Sequence, residues 1–416
     1  MLVKTKISVL ALEVGMSVVE LDRPWTDLPF ALQGLTIKDD FEIQILQKYC
    51  KYVFIEHDYS GSLALNKDQA LPEFKPSLDG KKAFTRKIRG LQPKTELDNE
   101  LARAHSVYFQ ARRHMEHIFN MAKNHRKIDV KETQSIVTKC ITSIVSNANA
   151  LFWLTRIQDS SAIEANHSLR VAVLSIALGH YVGLNRQELE QLGIAALLHD
   201  IGKTRIPDEI LTKRARFTEA EKRVMERHTA LGYELLHADT SLEPIIKEVA
   251  LNHHQRPDGQ GYPAKQRNHP LSLFTRIVSI VDSYDDMTHE ISHLKSRSPR
   301  LALKEIYEKA GKQFDPNLAK AFIKMVGIYP AGSMVKMTNG EVAMVVSTDT
   351  ESKLSPKVEL IYNQYGKMRS PLIVDLQEGA KDQAGQPYKI AGSLPDGSLG
   401  MDMKRYIADR LNISAF

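Results

Sequence analysis

A series of histidines and aspartates, placed at regular intervals on apolar helical segments, constrains this chain more than any other feature. Successive members lie roughly 25 to 32 residues apart, which is about the length of one helix with its return connection. The spacing predicts a helical bundle in which each helix brings a polar side chain to a shared centre. The members are His167, His199, Asp200, His228, His253, His254 and Asp282.

This set of side chains is typical of a transition-metal site. Imidazole nitrogens bind first-row metals well and a carboxylate can bridge two ions, so the set suits a dinuclear centre. Two metals roughly 4 Å apart lower the pKa of a shared water and clamp the attacking and leaving oxygens of a phosphodiester. Lys203, one helical turn after His199, is placed to balance charge on the phosphate. We therefore predict hydrolysis of a phosphate ester.

Each member of the series, taken alone, has a simpler interpretation. A single histidine on an amphipathic helix, such as His167, is usually a core or boundary residue, because histidine is intermediate in burial. The adjacent HD and HH pairs close apolar runs, and Asp282 follows IVSIV, where an unpaired carboxylate is costly to bury. The remaining candidates lack such a context and are interpreted as surface or packing residues: His180, His237, His289 and His293.

Length and composition narrow the class of protein. A chain of 416 residues suggests two or three domains. Its two cysteines, Cys50 and Cys140, are too few for a disulfide framework, fit a reducing compartment and are interpreted as core residues. No run approaches the roughly 20 apolar residues of a membrane span, and the N-terminus lacks a signal-peptide pattern. The net charge is +6, and the lysines and arginines are scattered along the chain rather than clustered, so we expect no polymeric nucleic acid partner. We also expect a cytoplasmic protein without membrane insertion.

The chain divides into five predicted regions. Residues 1–66 mix alternating segments with an amphipathic piece and predict a small α+β domain, in which DRPWTDLPF is interpreted as a packed aromatic loop. The Lys-, Pro- and Gly-rich stretch 67–95 predicts a linker. Two predicted helices at 96–154 connect the linker to the main helical region, residues 155–328. Residues 329–416 predict a β-rich extension that begins with a hairpin at Asn339-Gly340.

The second connecting helix carries one apolar stripe. A stripe at helical spacing is typical of a packed face, so we interpret it as core or as a dimer contact rather than as a ligand site, and a homodimer is one expectation. The stripe consists of Ile136, Cys140, Ile144, Ala148, Leu151 and Phe152.

The helical region resembles the HD-GYP phosphodiesterases, a bacterial branch of the HD metal-dependent phosphohydrolases. The resemblance covers about residues 165 to 325, AGKQFDP included, and the opening LEVGMSVVELDRPWTDLPFALQGLTI is similar to an uncharacterised domain often found before HD-GYP domains. The family's name corresponds to His199-Asp200 and to residues 261–263. The motifs that carry the resemblance, in order, are NHSLRVAVLSIALG, AALLHDIGKTRIPDEIL, MERHTALG, HHQRPDGQGYP and RIVSIVDSYDDMT.

The resemblance implies a mainly α protein, in which an HD-type helical bundle is the catalytic domain and has a small α+β domain before it and a small β appendage after it. It also implies hydrolysis of cyclic di-GMP to linear pGpG, and onward to GMP, through a hydroxide that bridges two iron or manganese ions. The seven residues of the series become metal ligands, with Asp200 as the bridge and Lys203 as the phosphate-contacting lysine.

The resemblance also assigns residues around the substrate's entrance. The loop 261–263 resembles one implicated in contacts with GGDEF-domain proteins and in shaping the site, although Tyr262 packing the loop is an alternative. Arg276 takes the position of an arginine before the last metal aspartate, for which we expect a structural role. The predicted substrate or loop residues are Lys203, Arg256, Asp258, Gly261, Tyr262, Pro263 and Arg276.

Three departures from the family pattern bear on function. Gln255 stands where the family usually has Glu. Members with three metals carry a Glu one turn before the first histidine, a position held here by Ile163, with Glu164 one position off, so we expect two metals. The family commonly reads DRPYR where this chain has HEISHLKSR, with Lys295 or Arg297 as substitute cations. This last departure leaves open a receptor or scaffold that binds nucleotide or a GGDEF partner without turnover, and hydrolysis of another phosphate ester is a further alternative.

Overall fold

The computed structural model describes most of the chain from residue 88 onward and parts of the region before it. Most of the predicted linker, the aromatic loop after Asp22 and the central part of HEISHLKSR, with Lys295, lie outside the described residues. The described residues are 2–9, 12, 16–22, 35–37, 43, 46–47, 49–58, 88–126, 128, 130–157, 162–213, 215–263, 271–289, 297–347, 355–382, 384–394 and 398–412.

Short antiparallel strands form a sheet at the N-terminus. The alternating segments of the sequence become β2 and β4, which pair with each other and bury Val18 and Val53. Alternation places every second side chain on the same face, so these valines can cover one side of the sheet. The strands β1 (Leu2–Ser8), β2 (Ser17–Leu21), β3 (Leu35–Thr36) and β4 (Tyr52–Asp58) lie in the order β1-β4-β2-β3.

Helices make up the central part of the protein. Two long helices, α1 (Leu97–Lys123) and α2 (Val130–Thr155), pack against each other and against α3 (Ile163–Tyr181). Helix α3 is buried on nearly all sides, as an apolar helix at the centre of a bundle should be. Among the described residues, no helix combines the length and apolar composition needed to cross a bilayer.

The remaining helices carry most of the predicted site, and a 3₁₀ turn, Ile201–Arg205, follows the first of them. The helices are α4 (Arg186–Leu198), α5 (Asp208–Leu211), α6 (Glu219–Glu226), α7 (His228–His237), α8 (Pro244–Asn252), α9 (Leu273–Thr288), α10 (Pro299–Glu308), α11 (Pro316–Val326) and α12 (Met403–Leu411).

The apolar stripe on α2 lies inside the chain's own core. All six of its side chains are buried, and α2 packs against α1, α3 and α4. Cys140 is one of the six, and Cys50 is buried in the N-terminal domain, so both cysteines are core residues as predicted. The stripe is therefore a packing surface within one chain rather than a ligand site.

A second antiparallel sheet follows the helices and is attached to them. The predicted hairpin joins β5 to β6, and Gly340 adopts a φ of +88° in its turn, a conformation that glycine reaches without strain. The indole Nε1 of Trp153 in α2 donates to the carbonyl of Val345 at 3.1 Å, which fixes the sheet against the bundle. The strands are β5 (Met334–Met337), β6 (Val342–Ser347), β7 (Lys357–Tyr362), β8 (Met368–Asp375) and β9 (Ile390–Ser393), in the order β8-β7-β6-β5-β9. The predicted fold class, mainly α with a small sheet on either side, is confirmed.

Candidate metal centre

The structure brings all seven predicted ligands to one place. They come from the first turn of α3, the end of α4, the start of α7, the end of α8 and the middle of α9. Their possible ligand atoms form two groups, each within 4.8 Å, that share Asp200. The first group is Asp200, His228, His253 and His254, and the second is His167, His199, Asp200 and Asp282.

The carboxylate of Asp200 lies between the two groups. Its Oδ1 is 3.2 Å from Nε2 of His228 and 3.6 Å from Nε2 of His253. Its Oδ2 is 3.3 Å from Nε2 of His199 and 3.4 Å from Nε2 of His167. Because each oxygen faces a different pair of imidazoles, the geometry is that of a carboxylate able to bridge two cations.

Asp282 also faces both sides of the centre. Its Oδ1 lies 3.1 Å from Nε2 of His167, and its Oδ2 lies 3.7 Å from Nδ1 of His254. The apolar run that precedes Asp282 in the sequence is buried inside the bundle. The carboxylate of Asp282, on the same helix, faces the histidines. Imidazoles, together with a cation bound between them, thus supply the partners that the buried carboxylate of Asp282 needs.

Local helix geometry orients three of the histidines. The Nδ1–H groups of His199, His228 and His253 donate to backbone carbonyls three residues earlier, at 2.7, 2.7 and 3.0 Å. A carbonyl can only accept, so Nδ1 carries a proton, and in the neutral imidazole the lone pair of Nε2 points to the centre. This is the tautomer that a metal ligand requires, with the second nitrogen held by a hydrogen bond.

Some buried polar atoms at the centre make no well-aligned hydrogen bond. Within the described part of the chain these include Nε2 of His199 and Oδ1 of Asp200, whereas Oδ2 of Asp200 lies 2.6 Å from Nζ of Lys203. Leaving such atoms unsatisfied costs on the order of 1–3 kcal/mol each. A divalent cation would satisfy them, and imidazole with carboxylate is a donor set suited to first-row transition metals. The residues therefore fit the predicted metal site.

The concentration of charge changes the pKa of the groups involved. Burial lowers the pKa of His199, but the carboxylates of Asp200 and Asp282 outweigh burial and raise this pKa to about 9. Burial raises the pKa of Asp200, but Lys203 and His199 outweigh it and hold that pKa well below its usual range. Burial and the neighbouring His253 hold the pKa of His254 far below that of a free histidine. Metal binding must consequently displace a proton from His199 at neutral pH.

Lys203 lies on the 3₁₀ turn that follows the HD pair. Its Nζ is 2.6 Å from Oδ2 of Asp200 and 3.5 Å from a carboxylate oxygen of Glu164. The turn packs closely on the start of α7 at Gly202, where a β-carbon would lie 2.0 Å from the carbonyl oxygen of His228. Glycine thus lets Lys203, Asp200 and His228 approach one another.

The loop 261–263 is folded back on His254. The amide of Tyr262 donates to the carbonyl of His254 at 3.2 Å, and the two rings lie 4.6 Å apart. A β-carbon on Gly261 would lie 2.3 Å from the same carbonyl oxygen, so this glycine is needed for the close approach. Gln255 donates from its amide to the carbonyl of Pro263, an attachment that a glutamate at this position could not make when ionised.

The other predicted substrate or loop residues are engaged in ion pairs. Arg256 contacts Asp258 at 2.5 Å within the loop. Arg276, at the start of α9, contacts Asp315 at 2.7 Å, and Asp315 caps the N-terminus of α11. The contact of Arg276 joins two helix ends, and the structural role expected of it stays a prediction.

Sequence reasoning missed two buried residues beside the centre. Asp285 contacts Nδ1 of His167 at 2.8 Å and Arg170 at 2.7 Å. Both lie one helical turn from a member of the series, Asp285 after Asp282 and Arg170 after His167, a spacing that places side chains on the same helix face. His289 is also buried, with Nδ1 at 3.0 Å from Asp285, so of its two predicted interpretations, surface or packing, the structure supports packing.

Comparisons with known proteins agree with this geometry. The HD domain family matches residues 153–318, and a domain of unknown function, DUF3391, matches residues 4–133. Over 398 residues, 94% of this chain and 92% of the relative, the sequence is 30% identical to "Cyclic di-GMP phosphodiesterase PA4108" of Pseudomonas aeruginosa. The chain belongs to the HD-GYP family of phosphodiesterases. The predicted resemblance is therefore confirmed, and HD-GYP proteins are metal-dependent hydrolases, as the cluster of histidines and aspartates indicates.

Other relatives of this HD-GYP protein match a smaller share of the chain. A cyclic di-GMP phosphodiesterase of Thermotoga maritima is 35% identical over 162 residues, 38% of this chain and 44% of that protein. A "3'3'-cGAMP-specific phosphodiesterase 2" of Vibrio cholerae is 30% identical over 172 residues, 40% of this chain and 33% of that protein. Among solved structures, Bd1817, an HDG"Y"P protein from Bdellovibrio bacteriovorus, is 15% identical with a TM-score of 0.46 and covers 77% of this chain and 98% of that one.

Proposed function

We propose that this HD-GYP protein hydrolyses cyclic di-GMP to linear pGpG, and pGpG onward to GMP, at two divalent transition metals. The position of Asp200 carries the proposal, because each of its buried oxygens faces a separate pair of imidazoles. The substrate is supported by the name of the Pseudomonas relative, which is similar over nearly the whole of both chains.

The proposed ligands divide between the two positions, with Asp200 common to both. Iron or manganese suits this mixture of imidazole and carboxylate donors. When bound, the two ions would supply an activated water at neutral pH and would neutralise charge on the phosphodiester. The first position is formed by His228, His253 and His254, and the second by His167, His199 and Asp282.

Lys203 is the proposed source of positive charge for the scissile phosphate. Burial lowers its pKa, but Asp200 and Glu164 outweigh burial and raise the pKa well above its usual range, so the side chain stays protonated. About a fifth of its side chain is exposed, so the lysine is not fully enclosed by the bundle. A fixed ammonium beside the phosphate stabilises the charge that builds up in the transition state.

The loop 261–263 is proposed to frame the entrance to the centre. Its contacts with His254 support this role, because they hold the loop directly over one of the proposed ligands. GGDEF-domain proteins are proposed partners of the same loop. Titration of a labelled GGDEF domain with wild-type protein and with Tyr262→Ala tests the partnership, which equal binding by both proteins would contradict.

Chromatographic analysis of reaction products tests the proposed activity. Protein prepared anaerobically with iron or manganese should convert cyclic di-GMP to pGpG and GMP, whereas Asp200→Ala should form no product. Asp409→Ala, at an exposed aspartate on α12, is the matched control and should retain wild-type turnover. The panel includes 3'3'-cGAMP, because relatives named for that substrate also match. Intact cyclic di-GMP bound to protein that holds two metals would instead support a receptor.

A further inference from the structure

Asp285 is a buried carboxylate with three cationic or hydrogen-bonding neighbours. It has no exposed surface. Its Oδ2 lies 2.8 Å from Nδ1 of His167 and 2.7 Å from Nη2 of Arg170, whose Nε lies 2.8 Å from Oδ1. Nδ1 of His289 lies 3.0 Å from Oδ1. The two carboxylate oxygens are thus held by a two-pronged guanidinium contact and by two imidazoles.

His167 differs from its neighbours in the centre in how its outer nitrogen is held. In His199, His228 and His253, Nδ1 donates to a backbone carbonyl three residues earlier in the chain, whereas Nδ1 of His167 donates to the side chain of Asp285 on α9. Helix α3 begins at Ile163, so His167 lies in its first turn, and the contact with Asp285 also fixes α3 relative to α9. A carboxylate acceptor fixes the imidazole tautomer and raises the basicity of the inward nitrogen.

Arg170 explains why Asp285 stays on the outer side of His167. A buried carboxylate without a partner is costly, and the guanidinium supplies a charge-assisted contact to both of its oxygens. With both oxygens occupied, Asp285 is not available to turn toward the centre, where Asp200 and Asp282 already face the imidazoles. The arrangement places Asp285 behind His167 at 2.8 Å from Nδ1, with Asp286 farther from the same nitrogen at 3.8 Å, and two carboxylates in front of it.

We propose that Asp285 is a positioning residue for the half of the metal centre formed by His167, His199 and Asp282. It holds His167 in the tautomer and orientation in which Nε2 is a ligand. This inference rests on the proposed function, in which His167 binds a metal. It predicts that the loss of Asp285 weakens one of the two metal positions and leaves the other intact.

Titration of metal-free protein with Mn²⁺, followed by the EPR signal of free Mn²⁺, tests the proposal without measuring activity. Wild-type protein should bind two Mn²⁺ per chain. Asp285→Asn should bind one Mn²⁺ as wild type does and the other roughly 10- to 100-fold more weakly. Asp409→Asn, the matched control, removes the charge of an exposed aspartate on α12 away from the centre, so both Mn²⁺ should bind as in wild type.

A double variant separates positioning from folding. Breaking a buried ion pair from one side leaves a buried charge and destabilises the fold, whereas removing both charges avoids this. Arg170→Met with Asp285→Asn should therefore fold even where Asp285→Asn does not, and should still show one weakened Mn²⁺. Equal weakening of both positions, or no weakening, overturns the proposal. Wild-type protein that binds fewer than two Mn²⁺ overturns the proposed function, and this inference with it.

Discussion

Replacing Gly202 with alanine should damage the candidate centre without altering any proposed ligand. The new β-carbon would lie 2.0 Å from the carbonyl oxygen of His228 and 2.4 Å from the amide nitrogen of Gly232, both on α7. Real β-carbons are essentially never found closer than 3.0 Å to such atoms. Since both neighbours are backbone atoms, the 3₁₀ turn and α7 must separate by about 1 Å, a displacement that overpacking of this kind commonly forces.

The separation acts directly on the centre. Asp200 immediately precedes the 3₁₀ turn and Lys203 lies within it, while His228 is the first residue of α7, so the 3.2 Å approach between Asp200 and His228 must lengthen. Overpacking costs about 1–3 kcal/mol of stability. A misplacement of about 1 Å can lower turnover roughly 100-fold.

Three measurements on Gly202→Ala examine this reasoning: kcat with cyclic di-GMP, metal content per chain and the urea midpoint. Gly392→Ala is the matched control, because a β-carbon there meets no atom within 4 Å and the backbone is not left-handed. We expect a fall in all three quantities for Gly202→Ala and none for the control. Wild-type turnover and metal content in Gly202→Ala would refute the argument from close packing.

Four further predictions follow from the same contacts. Lys203→Met should lower kcat by about 100-fold with full metal content; unchanged kcat would exclude Lys203 from the transition state. Arg276→Met breaks the half-buried ion pair with Asp315 and should lower the free energy of unfolding by up to about 1 kcal/mol, as measured by urea denaturation. A loss of bound metal in this variant would contradict a purely structural role for Arg276. Because the pKa of His199 is raised to about 9 in the metal-free protein, Mn²⁺ must displace its proton, so Mn²⁺ affinity should rise with pH toward that value. Calorimetry in two buffers of different ionisation enthalpy detects the released proton, and identical heats would contradict it. Removing metal with a chelator should lower Tm, because a ligand at 100 times its Kd stabilises the native state by about 2.7 kcal/mol; an unchanged Tm would mean that no metal was bound.

The positions of the proposed ligands could be predicted because they follow from local periodicity. A histidine near the start or the end of each apolar segment, about one helix and turn from the last, can reach a common centre in a bundle of antiparallel helices. The pair at 199–200 and the pair at 253–254 both lie where a helix ends, as their place at the end of apolar runs indicated. The predicted hairpin at Asn339-Gly340 formed for an equally local reason.

The role of Asp285 could not be predicted in the same way. Its spacing from Asp282 indicates a shared helix face, but its partners His167 and Arg170 belong to α3, and which face of α9 meets α3 depends on tertiary packing. The same limit applies to the stripe on α2, where periodicity predicted a packed face without deciding between core and dimer contact. Burial against α1, α3 and α4 decides for the core.

Anomalous diffraction from crystals grown with Mn²⁺ locates metals independently of turnover and shows whether Asp200 lies between two of them. Two anomalous peaks per chain are expected, one beside each carboxylate oxygen of Asp200. A single peak, or peaks away from Asp200, would contradict a dinuclear centre bridged by this residue.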